Sequence, residues 1–399
     1  MATTVLELSD TAASIVGRAA QLTRENIAPR AALYDREARN PVENWRDLWE
    51  AGLLNVTAPR AYGGAGVDMA TYLDVLRVIA QGCASTAMTL HMHATVMRFV
   101  DRFGTEAQRR FYFGEAVGHG KLFGSWGSEP ALSLSRTMLF ETSIRRHADH
   151  YLIDGVKHFC TMASDAGYYM VWCALDGVMD GKALVTALVP ADAPGITTDG
   201  VWDTLGMRGT YSPTVVFSGC PVPDDAILGR PGDNLTGGVV EAFGLGYAAI
   251  YLGIAQSALG FAVDFAKTRV VKPDTIPIAH ETTTQRHIGD LQSDLRAVEL
   301  VLADAAAAWA GADRPARAVL AARAKYLATK LGLRITSEVI QLVGGRGAYK
   351  THPVERAFRD LRTCTLMIPS PDRMLETLGR HALGLDTAVF NVPGLTDTA

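Results

Sequence analysis

Two histidines stand two residues apart in Leu90–Thr95, LHMHAT. A histidine can donate, accept or carry a proton near neutral pH, so either could serve chemistry. His91 and His93 also fall in a run with helical spacing, where a histidine commonly packs or faces water, and periodicity does not choose between them. Phe159 and Thr161 put an aromatic ring and a hydroxyl on one β-rich run, an arrangement that plain strand alternation also produces. The five cysteines, Cys83, Cys160, Cys173, Cys220 and Cys364, are scattered and contain no CxxC pair. That spacing argues for reduced, buried thiols and against a disulfide framework or a zinc site.

The elements that must position these residues change type along the chain. From Leu6 to Phe123 the apolar spacing is helical, as in Thr11–Glu25 and Tyr72–Ala80, with Ala58–Asp68 (APRAYGGAGVD) breaking it as a loop. Short β-rich runs follow: Tyr151–Ile153, Val156–Cys160, Tyr169–Leu175, Ala183–Val189 and Thr214–Phe217. Asp154-Gly155, between two of them, predicts a hairpin turn. Helical stripes return with Leu252, Ala255, Leu259, Ala262 and Val263, and again with Leu327, Leu331, Ile335 and Val339. The polar stretch Lys272–Thr284 reads as a connection. The expected order is a helical domain over 1–125, a β domain over 126–235 and a helical bundle over 236–399, with clefts at the borders where ligands prefer to bind.

The 399 residues carry a formal net charge of −4, without the clustered Lys and Arg that a nucleic-acid surface requires. The opening MATTVLELSD has no basic or apolar signal region, and no run of about 18 apolar residues occurs. A cytoplasmic protein that does not span a membrane is expected.

Five segments in order resemble the acyl-CoA dehydrogenase family: Leu48–Asp68 (LWEAGLLNVTAPRAYGGAGVD), Gly155–Ala163 (GVKHFCTMA), Trp202–Ser212 (WDTLGMRGTYS), Tyr251–Arg269 and Gln341–Asp360 (QLVGGRGAYKTHPVERAFRD). The resemblance implies an α+β protomer with an N-terminal helical domain, a central β-barrel or sandwich and a C-terminal four-helix bundle. It also implies a bound flavin and a homo-oligomer, a dimer or dimer of dimers. It places Phe159 against the flavin ring, Thr161 on its N5 side, and Trp126 and Ser128 among the flavin contacts. Gln341, Gly344, Gly345 and Gly347 would meet a neighbouring subunit's cofactor, glycine leaving room for close approach. That well-kept segment favours FAD. Two departures on the pyrophosphate side leave FMN open: Ala131–Ser135 replaces a glycine-serine turn, and no Arg-Phe-Gly follows Arg269.

The family's dehydrogenases need a carboxylate base at one of two positions. By the resemblance these are Ile368 and Phe243, and neither accepts a proton. Glu241 and Asp372 are the nearby carboxylates that a relocated base could use. Glu241 should face away, because two residues turn a helix by about 200°, and Asp372 reads as a helix cap. The alternative function is therefore an acyl-CoA or acyl-carrier dehydrogenase with such a relocated base.

The chain is more similar to a branch that needs no such base, the dibenzothiophene monooxygenase or indole hydroxylase type. Lys157–Cys160 (KHFC), Tyr251–Ala255 (YLGIA) and Arg362-Thr363 followed by Pro369 carry that likeness. Members take reduced flavin from a separate reductase, add O2 at flavin C4a and transfer one oxygen from the hydroperoxide. The resemblance implies a flavin reductase partner and catalytic roles for His93 and Thr161. His91, Phe243, Met367 and Ile368 would line a pocket for a small aromatic or heteroaromatic, indole-like substrate.

Overall fold

The structure, a computed structural model, describes residues 11–134, 137–199 and 202–387. The expected helical onset at Leu6 and Ser135 of the Ala131–Ser135 turn lie outside them. Six helices come first: α1 (Ala12–Leu22), α2 (Ala28–Glu37), α3 (Val42–Glu50), α4 (Met69–Gly82), α5 (Ala84–Phe103) and α6 (Glu106–Phe113). Ala58–Asp68 is the loop its Pro and Gly content predicts, and Asp68 ends it by accepting the Thr71 backbone N–H at the start of α4. α5 is buried along nearly its whole length, so its histidines sit inside the protein.

Eight strands follow: β1 (Phe123–Trp126), β2 (Ser143–His147), β3 (His150–Lys157), β4 (Tyr168–Leu175), β5 (Leu184–Pro190), β6 (Ile196–Asp199), β7 (Thr214–Pro223) and β8 (Ile227–Leu228). They form one mixed sheet in the order β6-β7-β3-β2-β4-β5-β8, with β1 paired parallel to β4. Asp154-Gly155 is not a hairpin turn. β3 runs straight through it, and the turn lies at Ala148-Asp149, between His147 and its partner His150. The register against β7 shifts between Ile153 and Gly155, so the pair forms a bulge. Gly155 has φ of 152°, and a Cβ there would come within 2.6 Å of the Thr142 hydroxyl. The Asp-Gly signal was a request for unusual backbone, which a bulge satisfies as well as a turn.

The helices resume with α7 (Asp233–Thr236), α8 (Ala242–Thr268), α9 (Thr282–Ala308), α10 (Arg314–Val343), α11 (Pro353–Cys364) and α12 (Pro371–Ala382). α8 is long and apolar enough to cross a membrane by length and composition, but 61% of its most apolar window is buried inside the fold. It is the central core helix, packed on α4, α9, α10 and α11. Helices, sheet and bundle meet around one cavity.

Candidate active site

The cavity encloses about 590 Å³. Each part of the fold supplies a wall. α5 contributes Met88 and Met92, four residues apart and so on one helix face. The segment after β1 contributes Ser128, and the turn after β3 contributes Phe159 and Thr161. α8 contributes Phe243 and Tyr247, and the loop after α11 contributes Met367 and Ile368. Trp172 and Trp202 also line it, one from β4 and one from the segment before β7. Phe159, Leu205 and Leu366 remain more than half exposed and form an apolar collar.

Phe159 is held in the left-handed region at φ 56°, which turns its ring out of the strand, edge-on to Trp202 at 6.3 Å. A flat apolar wall with hydroxyls beside it suits an isoalloxazine ring. Those hydroxyls are connected: Thr210 meets Ser212 at 2.8 Å, and Ser212 donates to Thr161 Oγ1 at 3.1 Å. Thr161 thus accepts a hydrogen bond from Ser212 and keeps its own O–H free to donate. Trp126 does not line the cavity. It stacks on Tyr169 at 3.7 Å, and its indole N–H donates to the Thr161 carbonyl, fixing that turn from behind. The phenylalanine predicts a local effect: Phe159→Ala should weaken flavin binding about fivefold or more by fluorescence titration, since stacking on an aromatic is worth roughly 1–3 kcal/mol, while leaving the fold intact because the ring is 64% exposed.

Neither histidine lines the cavity. His93 is turned about 100° from Met92 and is fully engaged: its Nδ1 accepts the Phe123 backbone N–H at 3.2 Å, and its Nε2 meets Asn55 Oδ1 at 3.1 Å. No ring nitrogen is left to reach a substrate. His91 accepts from the Tyr72 hydroxyl at 2.8 Å and donates to the Phe243 carbonyl at 3.2 Å. It supports the cavity wall from the second layer, edge-on to Tyr247 at 5.1 Å. Burial pushes both imidazoles down to about 3, so they are neutral. His91 fits only because residue 246 is glycine, where a Cβ would lie 2.1 Å from the ring. Gly246→Ala should destabilise the fold by about 1–3 kcal/mol, read by urea unfolding.

No described lining residue offers a free base. Glu129 is the one carboxylate on the cavity, and Lys157 (2.6 Å) and the backbone N–H groups of Glu141 and Thr142 occupy it. Burial works to raise its pKa, but the Lys157 ammonium and those donors outweigh this and hold it below the ordinary carboxylate range. Glu241 faces away, as the helix turn requires, and pairs with Arg314 at 2.6 Å. Asp372 is exposed in the first turn of α12. The cap there is Ser370, which accepts the Arg373 backbone N–H, not Asp372.

Gln341, Gly344, Gly345 and Gly347 lie at the end of α10 and in the turn after it, apart from the residues that line the cavity. Gly344 and Gly345 face open space. Two residues of the site gave no sequence signal. Tyr247 follows Phe243 by one helical turn and precedes the stripe that begins at Leu252, and Lys325 stands behind it inside α10.

Models of the N-terminal, middle and C-terminal domains of acyl-CoA dehydrogenase match residues 9–118, 125–220 and 245–368. The cyclohex-1-ene-1-carbonyl-CoA dehydrogenase of Geobacter metallireducens is 30% identical over 85% of this chain and 89% of its own length. The dibenzothiophene monooxygenase of Mycolicibacterium goodii is 28% identical over 91% of each. The solved structure of TdsC from Paenibacillus sp. A11-2 with FMN and indole has a TM-score of 0.84 at 26% identity, covering 96% of this chain and 98% of that one. Dehydrogenases and a monooxygenase thus stand at near-equal distance, and the site has to separate them. With all three domain models matched in order on the fold they describe, the chain belongs to the acyl-CoA dehydrogenase superfamily of flavin-dependent oxidoreductases.

Proposed function

We propose that this chain is a two-component flavin monooxygenase. It would take reduced flavin from a separate reductase, and O2, to hydroxylate a small aromatic or heteroaromatic substrate in the cytoplasm. The observation that carries this reading is the absence of a free base among the described cavity residues. Ile368 and Phe243 fill the two base positions with apolar surface, and Glu129 is committed to Lys157. Removing a general base costs an α-proton abstraction about 10²–10⁴ in rate, whereas oxygen transfer needs a dry pocket and donors.

When bound, reduced flavin supplies two electrons to O2, so that one oxygen enters the substrate and the other leaves as water. The chain's own residues do the rest. Phe159 stacks the ring, and Thr161, oriented by Ser212, donates a hydrogen bond at the flavin edge. Met88, Met92, Phe243, Met367 and Ile368 hold a flat apolar substrate and exclude water. His93 has no part here beyond anchoring α5 to β1. FMN and FAD both remain within the proposal, as does assembly into a homo-oligomer whose neighbouring subunits approach the glycine turn.

The test is a pair of reactions on the full chain loaded with FMN. Given anaerobically reduced flavin, O2 and an indole-type substrate, the protein should yield hydroxylated product, with less hydrogen peroxide than free reduced flavin releases. Given oxidised flavin and butyryl-CoA without O2, it should leave the flavin absorbance unchanged. Bleaching by the thioester would overturn the reading and make the protein a dehydrogenase.

A further inference from the structure

Two lysines are fully buried among the described residues, Lys157 and Lys325. A buried ammonium is costly unless it is paired. Lys157 is paired with Glu129 at 2.6 Å. Lys325 has no carboxylate partner among the described residues. Its Nζ donates to the carbonyl oxygens of Met367 at 2.6 Å and Pro369 at 2.7 Å, and lies 4.8 Å from the centre of the Tyr247 ring. Two carbonyls and a π face satisfy three N–H directions, the number an ammonium has. Its two points of attachment, Tyr247 and the Met367 loop, are both cavity wall.

Tyr247 is 6% exposed, and its hydroxyl finds no partner among the described residues. Nor is that hydroxyl among the sealed, unpartnered polar atoms of the interior, so it opens on the cavity that the residue lines. The ring is clamped on several sides: Phe243 and Tyr251 stack one helical turn before and after it at 6.4 and 6.3 Å, His91 meets it edge-on, and Lys325 covers a face. A fixed donor with a lysine behind it, aimed into a cavity whose one lining carboxylate, Glu129, is already paired with Lys157, favours negative charge on whatever accepts its hydrogen bond.

We propose that Tyr247, backed by Lys325, is an oxyanion-binding donor of the substrate site, and that the substrate is an arene bearing an ionisable hydroxyl, bound as its phenolate. This deepens the monooxygenase reading and rests on it for the reaction, though not for the binding. Tyr247 touches the substrate, and Lys325 acts through it as a positioning residue that also supplies the missing counter-charge. Burial works against the Lys325 ammonium and pulls its pKa well below the ordinary lysine range, while the two carbonyl acceptors and the Tyr247 ring favour the charged form and an anion on Tyr247 would favour it further. The other groups facing the pair do not compensate that charge. His91 is neutral, burial keeps the Tyr72 and Tyr251 hydroxyls and the Cys364 thiol protonated, and Arg98, beside Tyr72, only adds positive charge.

The experiment is an absorbance titration of 4-nitrophenol, whose phenolate is coloured, on the full chain with and without FMN. Wild-type protein should bind the phenolate about tenfold more tightly than the phenol, lowering the ionisation midpoint of the bound probe by about one pH unit. Lys325→Met should abolish that preference, Lys325→Arg should retain most of it, and Tyr247→Phe, which deletes only a hydroxyl and should fold, should remove at least about half of the shift. A bound probe that ionises at the same pH as the free one, a shift that survives in both Tyr247→Phe and Lys325→Met, or no binding at millimolar probe would overturn the proposal. A phenolate preference without hydroxylation would leave this site standing and sink the monooxygenase reading instead.

Discussion

Replacing Lys157 with methionine should cost the protein about 3–5 kcal/mol, because it leaves the Glu129 carboxylate buried without its counter-ion. Both side chains are essentially inaccessible to water, at 0% and 1%. The ammonium also lies over the Phe140 ring at 4.5 Å. Two backbone N–H groups would still hold the carboxylate, but they do not neutralise it. The double variant Lys157→Met with Glu129→Gln should recover most of the loss, since the penalty is the orphaned charge rather than the missing attraction. Urea unfolding of the two variants checks this. Equal loss in both would mean that the pair acts through packing alone.

The second large effect is a response to acid. His91 and His93 are neutral in the fold, with pKa values pushed down to about 3 by burial. In the unfolded chain each would titrate near 6.5. Between those values the unfolded chain binds the extra protons, so stability holds above about pH 6.5 and falls as pH drops toward 3. Two rings losing up to about 3 kcal/mol each by pH 4 would dominate the acid response. Asp360 works the opposite way. Its carboxyl, raised to about 6 by burial, gains protons in the fold first, so its contribution grows as pH falls from about 6 toward the unfolded value. Unfolding free energies measured at pH 7, 5.5 and 4 should decline, and His93→Gln should flatten that slope. An unchanged slope would show that another group controls the acid limit.

How far the sequence could be read differs by residue, for physical reasons. Helical spacing located α4, α5 and α8, because a buried stripe repeats every few residues. The apolar residues at the family's two base positions, Phe243 and Ile368, were legible through the resemblance, because neither side chain can accept a proton. The histidines misled. Two residues apart, they face different directions on α5, and which face meets the cavity is decided by the packing of Met88 and Met92 rather than by residue type. Trp126 misled in the same way, since it braces the Thr161 turn from behind and does not line the cavity. Tyr247 and Lys325 were invisible because their meaning is a pairing across two helices 78 positions apart, and a lysine inside a helical stripe reads as a surface residue until its burial is known.

The placement of the tryptophans gives the protein a built-in optical reporter. Of its six, Trp172 and Trp202 line the cavity, while Trp45, Trp49, Trp126 and Trp309 do not. A flavin or coloured phenol entering the cavity will lie against Trp172 and Trp202, so energy transfer to it will quench their emission. Trp172→Phe and Trp202→Phe would then resolve filling of the inner wall from arrival at the collar, without any label.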